Sequence, residues 1–229
     1  MIPWKLLDTA RVPGGGELRL MRRGAEFSIK LDKNELMNNR LIGSEEALAT
    51  FACEKIKDRA RPRVLIGGLG MGFTLRAALK VLRPEAKVVV AEIVPAVIAW
   101  ASGPMASLYG DSLADPRVTV RETDVSDLIR SAKPVYDAIL LDVDNGPEGL
   151  SRRANDSLYS PAGLRAAHAA LAKDGVLAVW SSSPNAQFTE RLRKGGFDAK
   201  EMKVRAVRAG KGSRHVIWIA TRIDPARPS

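Results

Sequence analysis

Residues 64–75 read VLIGGLGMGFTL: an apolar run, four glycines within six positions, and the start of a helical pattern. A strand that runs straight into a glycine turn and then a helix is how α/β folds build the floor of a nucleotide site. Without side chains at Gly67, Gly68, Gly70 and Gly72 the backbone can bend sharply, and a ligand can lie against it. The Gly-x-Gly-x-Gly spacing suits an adenosyl-sulfonium ligand better than the Gly-x-Gly-x-x-Gly of dinucleotide sites. A tight strand–helix turn with no ligand is the alternative, and the rest of the chain decides against it.

Strands and helices alternate after Arg63. RVLIGG, KVVVAEI, RVTVRET, YDAILLDV and VLAVWSS read as strands. TLRAALKVLR, PAVIAWAS, VSDLIRSA, SPAGLRAAHAALAKDG and NAQFTERLRKGG read as the helices between and after them. Pro95 suits a first helical turn, and Gly175 is read as the stop of the fourth helix. Apolar strands alternating with helices predict an α/β fold with a mostly parallel sheet covered on both faces. DAKEMKVRAVRAG and RHVIWIATR close the chain as an antiparallel edge hairpin. Ahead of this unit, LLDTARV, ELRLMRR and AEFSIKLDK alternate in the manner of a small antiparallel sheet. A helix then starts near Ser44, read as its N-cap, with Glu45 and Glu46 in the first turn. The expected organisation is a β region over 1–43, a ligand-binding domain over 44–223 and a flexible tail over 224–229.

Composition narrows the chemistry. Cys53 is the only cysteine, and His168 and His215 are the only histidines. An intrachain disulfide is therefore impossible, a soft-metal site is not expected, and a reducing cytoplasm is the expected location. No apolar run is long enough to span a membrane, and the first residues do not resemble a secretory signal. No Gly-x-Ser-x-Gly elbow supports a serine nucleophile. The net charge is +10. Its excess lies near the C-terminus, where Arg191, Arg193, Lys194, Lys200, Lys203, Arg205, Arg208, Lys211 and Arg214 outnumber Glu190, Asp198 and Glu201. This could form a nucleic-acid face, but only Phe197 and Trp218 lie nearby to stack bases, so a solvated basic surface is favoured.

Active sites of such sheets lie at the C-terminal ends of the strands. Strand one ends in the glycine cluster. Strand two ends in Glu92 and Ile93, about 20 residues on, where an acid can accept both hydroxyl protons of a ribose. Strand three ends at Asp124 and Val125, and Asp124 could accept from an adenine amino group, cap the next helix, or do both. Strand four ends at Asp142 and Asp144. Asp142 follows four apolar residues, and desolvating a carboxylate there is costly without a purpose. His168, inside a helix, is read as structural, and His215, at the start of an apolar strand, belongs to that strand with a place at the edge of the cleft as the less favoured alternative.

These segments resemble the spermidine synthase family of polyamine aminopropyltransferases, a branch of the Rossmann-like, class I methyltransferase fold. EFSIKLDKNELMNNRLIGSEEALA resembles the family's N-terminal hairpin and first helix, and VLIGGLGMG its glycine motif. VVVAEIVPAVIAWA resembles its acidic ribose strand, and YDAILLDVDNGPEG the strand with its catalytic Asp. LYSPAGLRAAHAALAKDGVLAVWSSSP is the most specific match. The resemblance implies a small β domain on a Rossmann-like domain, a homodimer or larger assembly, and transfer of an aminopropyl group from decarboxylated S-adenosylmethionine to an amine. It implies Gly67, Gly68, Gly72, Glu92, Asp124 and Asp142 as donor-binding residues, and Gly70, Ile93 and Val125 join them as candidates from their places in the glycine turn and at the strand ends. Asp142 is implied as catalytic, Asp144 is a second catalytic candidate from its place at the end of strand four, and Glu46 and Tyr159 are candidates for binding the acceptor. Gly70 stands where the family carries an Asp that holds the cationic end of the donor. Ser44-Glu45-Glu46 replaces its Tyr-His/Gln-Glu. Methyl transfer from intact S-adenosylmethionine to an unknown acceptor, and a non-catalytic RNA-binding relative, therefore stay open at this point.

Overall fold

The computed structural model describes residues 2–13, 15–143, 146–147, 157–206 and 214–224. Four antiparallel strands come first: β1 (Lys5–Arg11), β2 (Glu17–Arg23), β3 (Glu26–Leu31) and β4 (Asn34–Asn38), paired in sequence order. Three strands were expected here. The fourth exists because Asp32, at φ 51°, reverses the chain between β3 and β4 in a conformation that Asp tolerates.

The larger unit follows, with α1 (Gly43–Glu54), β5 (Arg63–Gly67), α2 (Phe73–Val81), β6 (Lys87–Glu92), α3 (Pro95–Ser102) and α4 (Ala106–Tyr109). It continues with β7 (Val118–Glu122), α5 (Val125–Ser131), β8 (Tyr136–Leu141), α6 (Pro161–Ala170), β9 (Leu171–Ser181), α7 (Ala186–Lys194), β10 (Phe197–Arg205) and β11 (Arg214–Arg222). The seven-stranded sheet has the order β10-β11-β9-β8-β5-β6-β7. Strands β5 to β9 are parallel, while β11 pairs antiparallel with both β9 and β10. The α/β architecture, with helices flanking a mostly parallel sheet and an antiparallel hairpin at one edge, is as the sequence predicts. β5 pairs with β6 on one side and β8 on the other, so the strand order reverses around it. That reversal opens the crevice in which doubly wound sheets bind ligands.

Two local expectations are corrected. The helix read over 160–175 ends at Ala170, and the chain is already in β9 at Leu171. A register shift in the β8–β9 pairing, with Asp174 at φ 56°, places Gly175 inside a strand bulge rather than at a helix stop. At α1 the N-cap is Ile42, and the Ser44 side chain does not cap the helix. The Gly43 N–H instead donates to the Ala206 carbonyl at 2.8 Å, and the Ser44 hydroxyl is turned inward. Pro95 opens α3 as expected.

The β sheet of the N-terminal region is not a separate appendage. Leu18, Leu20, Phe27 and Ile29 pack in one apolar cluster with Met71, Phe73, Val94 and Trp100 of the larger unit. The indole N–H of Trp100 also donates to Asp8 Oδ2 at 2.7 Å. This packing holds β2–β4 over the C-terminal ends of β5, β6 and β8. Cys53 is buried, and desolvation pushes its thiol up to about 12. No helix among the described residues is long and apolar enough to cross a membrane.

Candidate active site

A cleft of about 860 Å³, counting the part open to solvent, lies between the N-terminal sheet and the ends of the parallel strands. Its floor is Gly68 and Gly70, and its polar wall is Glu92, Thr123, Asp124 and Asp142. Ile93, Val125 and Val143 add apolar surface, and Leu31, Leu36 and Met37 close it from the N-terminal side. The parallel topology thus brings the ends of four strands, about 75 residues apart in the chain, to one place.

The glycine loop has positive φ at Gly68, Gly70 and Gly72. Gly68 is the most constrained, since a Cβ there would run into the carbonyl of Asp142. This close approach lets β5 and β8 open their crevice side by side, with the Asp142 N–H bonded to the Gly67 carbonyl at 3.0 Å. At Gly70 a Cβ would meet the Met37 sulfur at 3.1 Å, so β4 occupies the space over this turn. Tyr109 braces the loop from behind by donating to the Gly70 carbonyl at 2.7 Å.

Glu92 is only 7% exposed, and burial pushes its carboxyl pKa up. Its two oxygens accept from the Leu69 N–H at 3.0 Å and the Val94 N–H at 2.9 Å. One carboxylate therefore ties the glycine loop to the β6–α3 turn and still faces the cleft. Asp124 caps α5, with Oδ1 accepting from the Ser126 N–H at 2.8 Å, and lines the cleft as well. Of the two roles weighed for it, the structure shows the cap.

A second cavity adjoins the first at Gly70, Met37 and Asp142. It is lined further by Asn38, Glu45, Phe73 and Trp180. Its only charged described residues are Glu45 and Asp142. Burial raises both carboxyls, Glu45 to about 7 and Asp142 to about 6, and the negative charge of Asp142 adds to the rise at Glu45. The Thr74 hydroxyl donates to Asp142 Oδ2 at 2.5 Å and pulls the other way. The Trp180 indole N–H is buried and has no hydrogen-bond partner among the described residues.

Of the residues read from the sequence, Gly67, Gly68, Gly70, Gly72, Glu92, Ile93, Asp124, Val125 and Asp142 stand in or directly beneath these two cavities. Asp144 lies outside the described residues, as do Arg208, Lys211 and residues 225–229. Glu46 lines neither cavity; its neighbour Glu45 does. Tyr159 is buried against Phe188 with ring centroids 5.6 Å apart, and its hydroxyl is 3.5 Å from the Val143 carbonyl, beneath the cleft rather than in it. His168 bonds the Ile223 carbonyl at 3.1 Å, away from the site. Sequence reasoning missed Glu45, Thr74 and Trp180. Helical spacing was the available signal for Glu45, because it leaves only one of two adjacent acids on the buried side of α1.

Residues 43–192 match the family model of the spermine/spermidine synthase domain. The chain belongs to the spermine/spermidine synthase family. Over 125 residues it is 36% identical to polyamine aminopropyltransferase 1 of Streptomyces coelicolor, an alignment covering 53% of this chain and 22% of that relative. The chain therefore aligns with about a fifth of that relative's length. Among solved structures, the family's fold is matched by a spermidine synthase in complex with the transition state analogue AdoDATO. The TM-score is 0.74 at 19% identity, over 97% of this chain and 74% of that one. Spermidine synthase from Thermotoga maritima matches at TM-score 0.74 and 18% identity, over 97% and 75%. A probable spermidine synthase from Corynebacterium glutamicum matches at 0.63 and 14%, over 95% and 79%.

Proposed function

We propose that this chain is an aminopropyltransferase that moves an aminopropyl group from decarboxylated S-adenosylmethionine to the nitrogen of an amine acceptor. The observation that carries this reading is the pair of carboxylates, Glu45 and Asp142, in a cavity whose described lining holds no cation. Two acids crowded together with raised pKa values are stabilised by an ammonium group and repel a carboxylate. The tail of decarboxylated S-adenosylmethionine ends in an ammonium. The tail of S-adenosylmethionine itself adds a carboxylate that this cavity would disfavour, which argues against methyl transfer. Glu45 and Gly70 share the cavity wall. The acid that the family pattern has at position 70 is thus supplied from α1.

In this reading Glu92 accepts the ribose hydroxyls, Asp124 accepts from the adenine amino group, and Ile93 and Val125 flank the base. Asp142 stands where the two cavities meet, at the point where donor and acceptor would react. The acceptor nitrogen attacks the carbon bonded to sulfur, a C–N bond forms, and the C–S electron pair leaves on a neutral thioether. Asp142 orients the amine and takes its proton, and the gain comes mostly from alignment. Glu46 contributes charge to Glu45 from the next position, and Tyr159 supports the cleft from beneath rather than touching the acceptor. The homodimer implied by the family resemblance belongs to the same reading.

The test is direct. Purified protein is incubated with decarboxylated S-adenosylmethionine and 1,4-diaminobutane, and products are followed by mass spectrometry. An amine heavier by one aminopropyl group, with one methylthioadenosine per product, is expected. A methylated product formed from S-adenosylmethionine instead would overturn the reading.

A further inference from the structure

The buried hydroxyl of Ser44 sits between two titratable groups. It is 2.7 Å from Glu45 Oε2 and 2.9 Å from His215 Nδ1. A hydroxyl has one proton and cannot donate to both. Two arrangements satisfy all three groups. With Glu45 ionised, Ser44 donates to Glu45 and accepts from His215 Nδ1–H. With Glu45 protonated, Glu45 donates to Ser44, and Ser44 donates to a bare Nδ1. The contact is between the start of α1 and the start of β11, 171 residues apart, and neither Ser44 nor His215 lines the two cavities.

We propose that Ser44 and His215 form the route by which Glu45 loses its proton when a cationic amine enters the cavity beside Asp142. The proposal rests on the amine reading above. Asp142 and Glu46 are the charged groups acting on Glu45, and Thr74 is already bonded to Asp142. An ammonium is held best when both carboxylates are ionised, so a proton shared by the pair must leave. It passes from Glu45 Oε2 to Ser44 Oγ, while the Ser44 proton passes to His215 Nδ1. The imidazolium so formed releases its Nε2 proton to solvent, and the neutral Nδ1–H tautomer remains. Charge and protons balance at each step.

The setting of His215 suits this task. His215 is half-buried, one residue into β11 from the exposed Arg214. Trp180 packs against it edge-on, with centroids 4.9 Å apart and planes at 72°, which fixes the ring with Nδ1 toward Ser44. Burial depresses its pKa, so the imidazolium gives up its proton rather than storing it. His215 acts through Ser44 on Glu45 and is a positioning residue.

The test uses the imidazole nitrogens, because the chain has only His168 and His215. The full chain is labelled with ¹⁵N-histidine, His168→Gln assigns the signals, and 1,4-diaminobutane is added with methylthioadenosine present. Binding is expected to move His215 Nδ1 from an unprotonated to a protonated nitrogen, leaving His168 unchanged. Calorimetry in buffers of different ionisation heat is expected to show net proton release. In Ser44→Ala the diamine binds about tenfold more weakly, the scale of one lost hydrogen bond to a charged group, and His215 no longer responds. His215→Asn keeps a partner for Ser44 but no ring, and proton release is lost. A fixed His215 tautomer while the diamine binds, or an unaltered response in Ser44→Ala, would overturn the proposal. No binding heat in the wild-type protein would overturn the amine reading, and this proposal with it.

Discussion

Thr74 donates its hydroxyl proton to Asp142 Oδ2 at 2.5 Å, tying the helix after the glycine loop to the carboxylate at the end of β8. The bond stabilises the ionised form of a carboxyl that burial otherwise pushes up. Thr74→Val removes it and keeps the shape. The pH–rate profile of the variant is expected to shift its acid limb upward, and kcat at neutral pH to fall by about tenfold, the scale of one charge-assisted hydrogen bond. An unshifted limb would separate Thr74 from the chemistry.

Asp142→Asn keeps the size of the side chain and removes the base. Donor affinity is expected to fall several-fold, because one of the two acids facing its ammonium loses its charge, while turnover falls by about a hundredfold or more. Glu45→Gln is expected to show the complementary pattern, with weakened affinity for decarboxylated S-adenosylmethionine and a smaller loss of kcat. Titration calorimetry and steady-state rates on the two variants check the split.

The same pair makes stability depend on pH. Both carboxyls have folded-state pKa values above their unfolded ones, about 7 and about 6. Between about pH 4 and pH 7 the folded chain therefore binds more protons than the unfolded chain, so stability falls as pH rises through this window. Both groups are buried, so the dependence is expected to show as a higher Tm at pH 5 than at pH 8. In Glu45→Gln the slope should flatten, and a bound diamine should reverse it. Thermal melts at pH 5 and pH 8 check both.

Gly68 and Gly70 should behave differently on substitution. At Gly68 an added methyl meets the backbone of Asp142, and the displacement falls on the base itself. Gly68→Ala is expected to cost about 2 kcal/mol or more and to abolish turnover. At Gly70 the neighbour is the end of the flexible Met37 side chain. Gly70→Ala therefore costs about 1 kcal/mol, mostly from its positive φ, and leaves a folded, binding-competent protein. Chemical denaturation of both variants checks the ranking.

The part of the site that was legible in the sequence is the part carried by consecutive residues. A strand, a glycine turn and a helix specify where Gly68 and Gly70 must lie, and parallel topology then puts Glu92, Asp124 and Asp142 beside them. The roles of Thr74, Glu45 and His215 were harder to read for the opposite reason: the sequence offered His215 only a place at the cleft edge, and helical spacing only a weak signal for Glu45. Their contacts span 29 to 171 positions and depend on how α1 packs against α2 and β11. Glu45 and Glu46 look alike in sequence, and only the rotation of α1 distinguishes them. The misplaced end of α6 has a local cause. LAKDG suits a helix terminus by composition, but pairing with β8 draws Leu171 into the sheet and leaves a bulge at Asp174. Tertiary pairing outweighed propensity there.

The central claim is that an adenosyl cleft ending in two acids selects a donor with a cationic tail. Calorimetric titration of the wild-type protein with decarboxylated S-adenosylmethionine, S-adenosylmethionine and methylthioadenosine tests it most directly. Binding of the decarboxylated donor at least about tenfold tighter than S-adenosylmethionine is predicted, equivalent to about 1.4 kcal/mol. Equal or tighter binding of S-adenosylmethionine would contradict it.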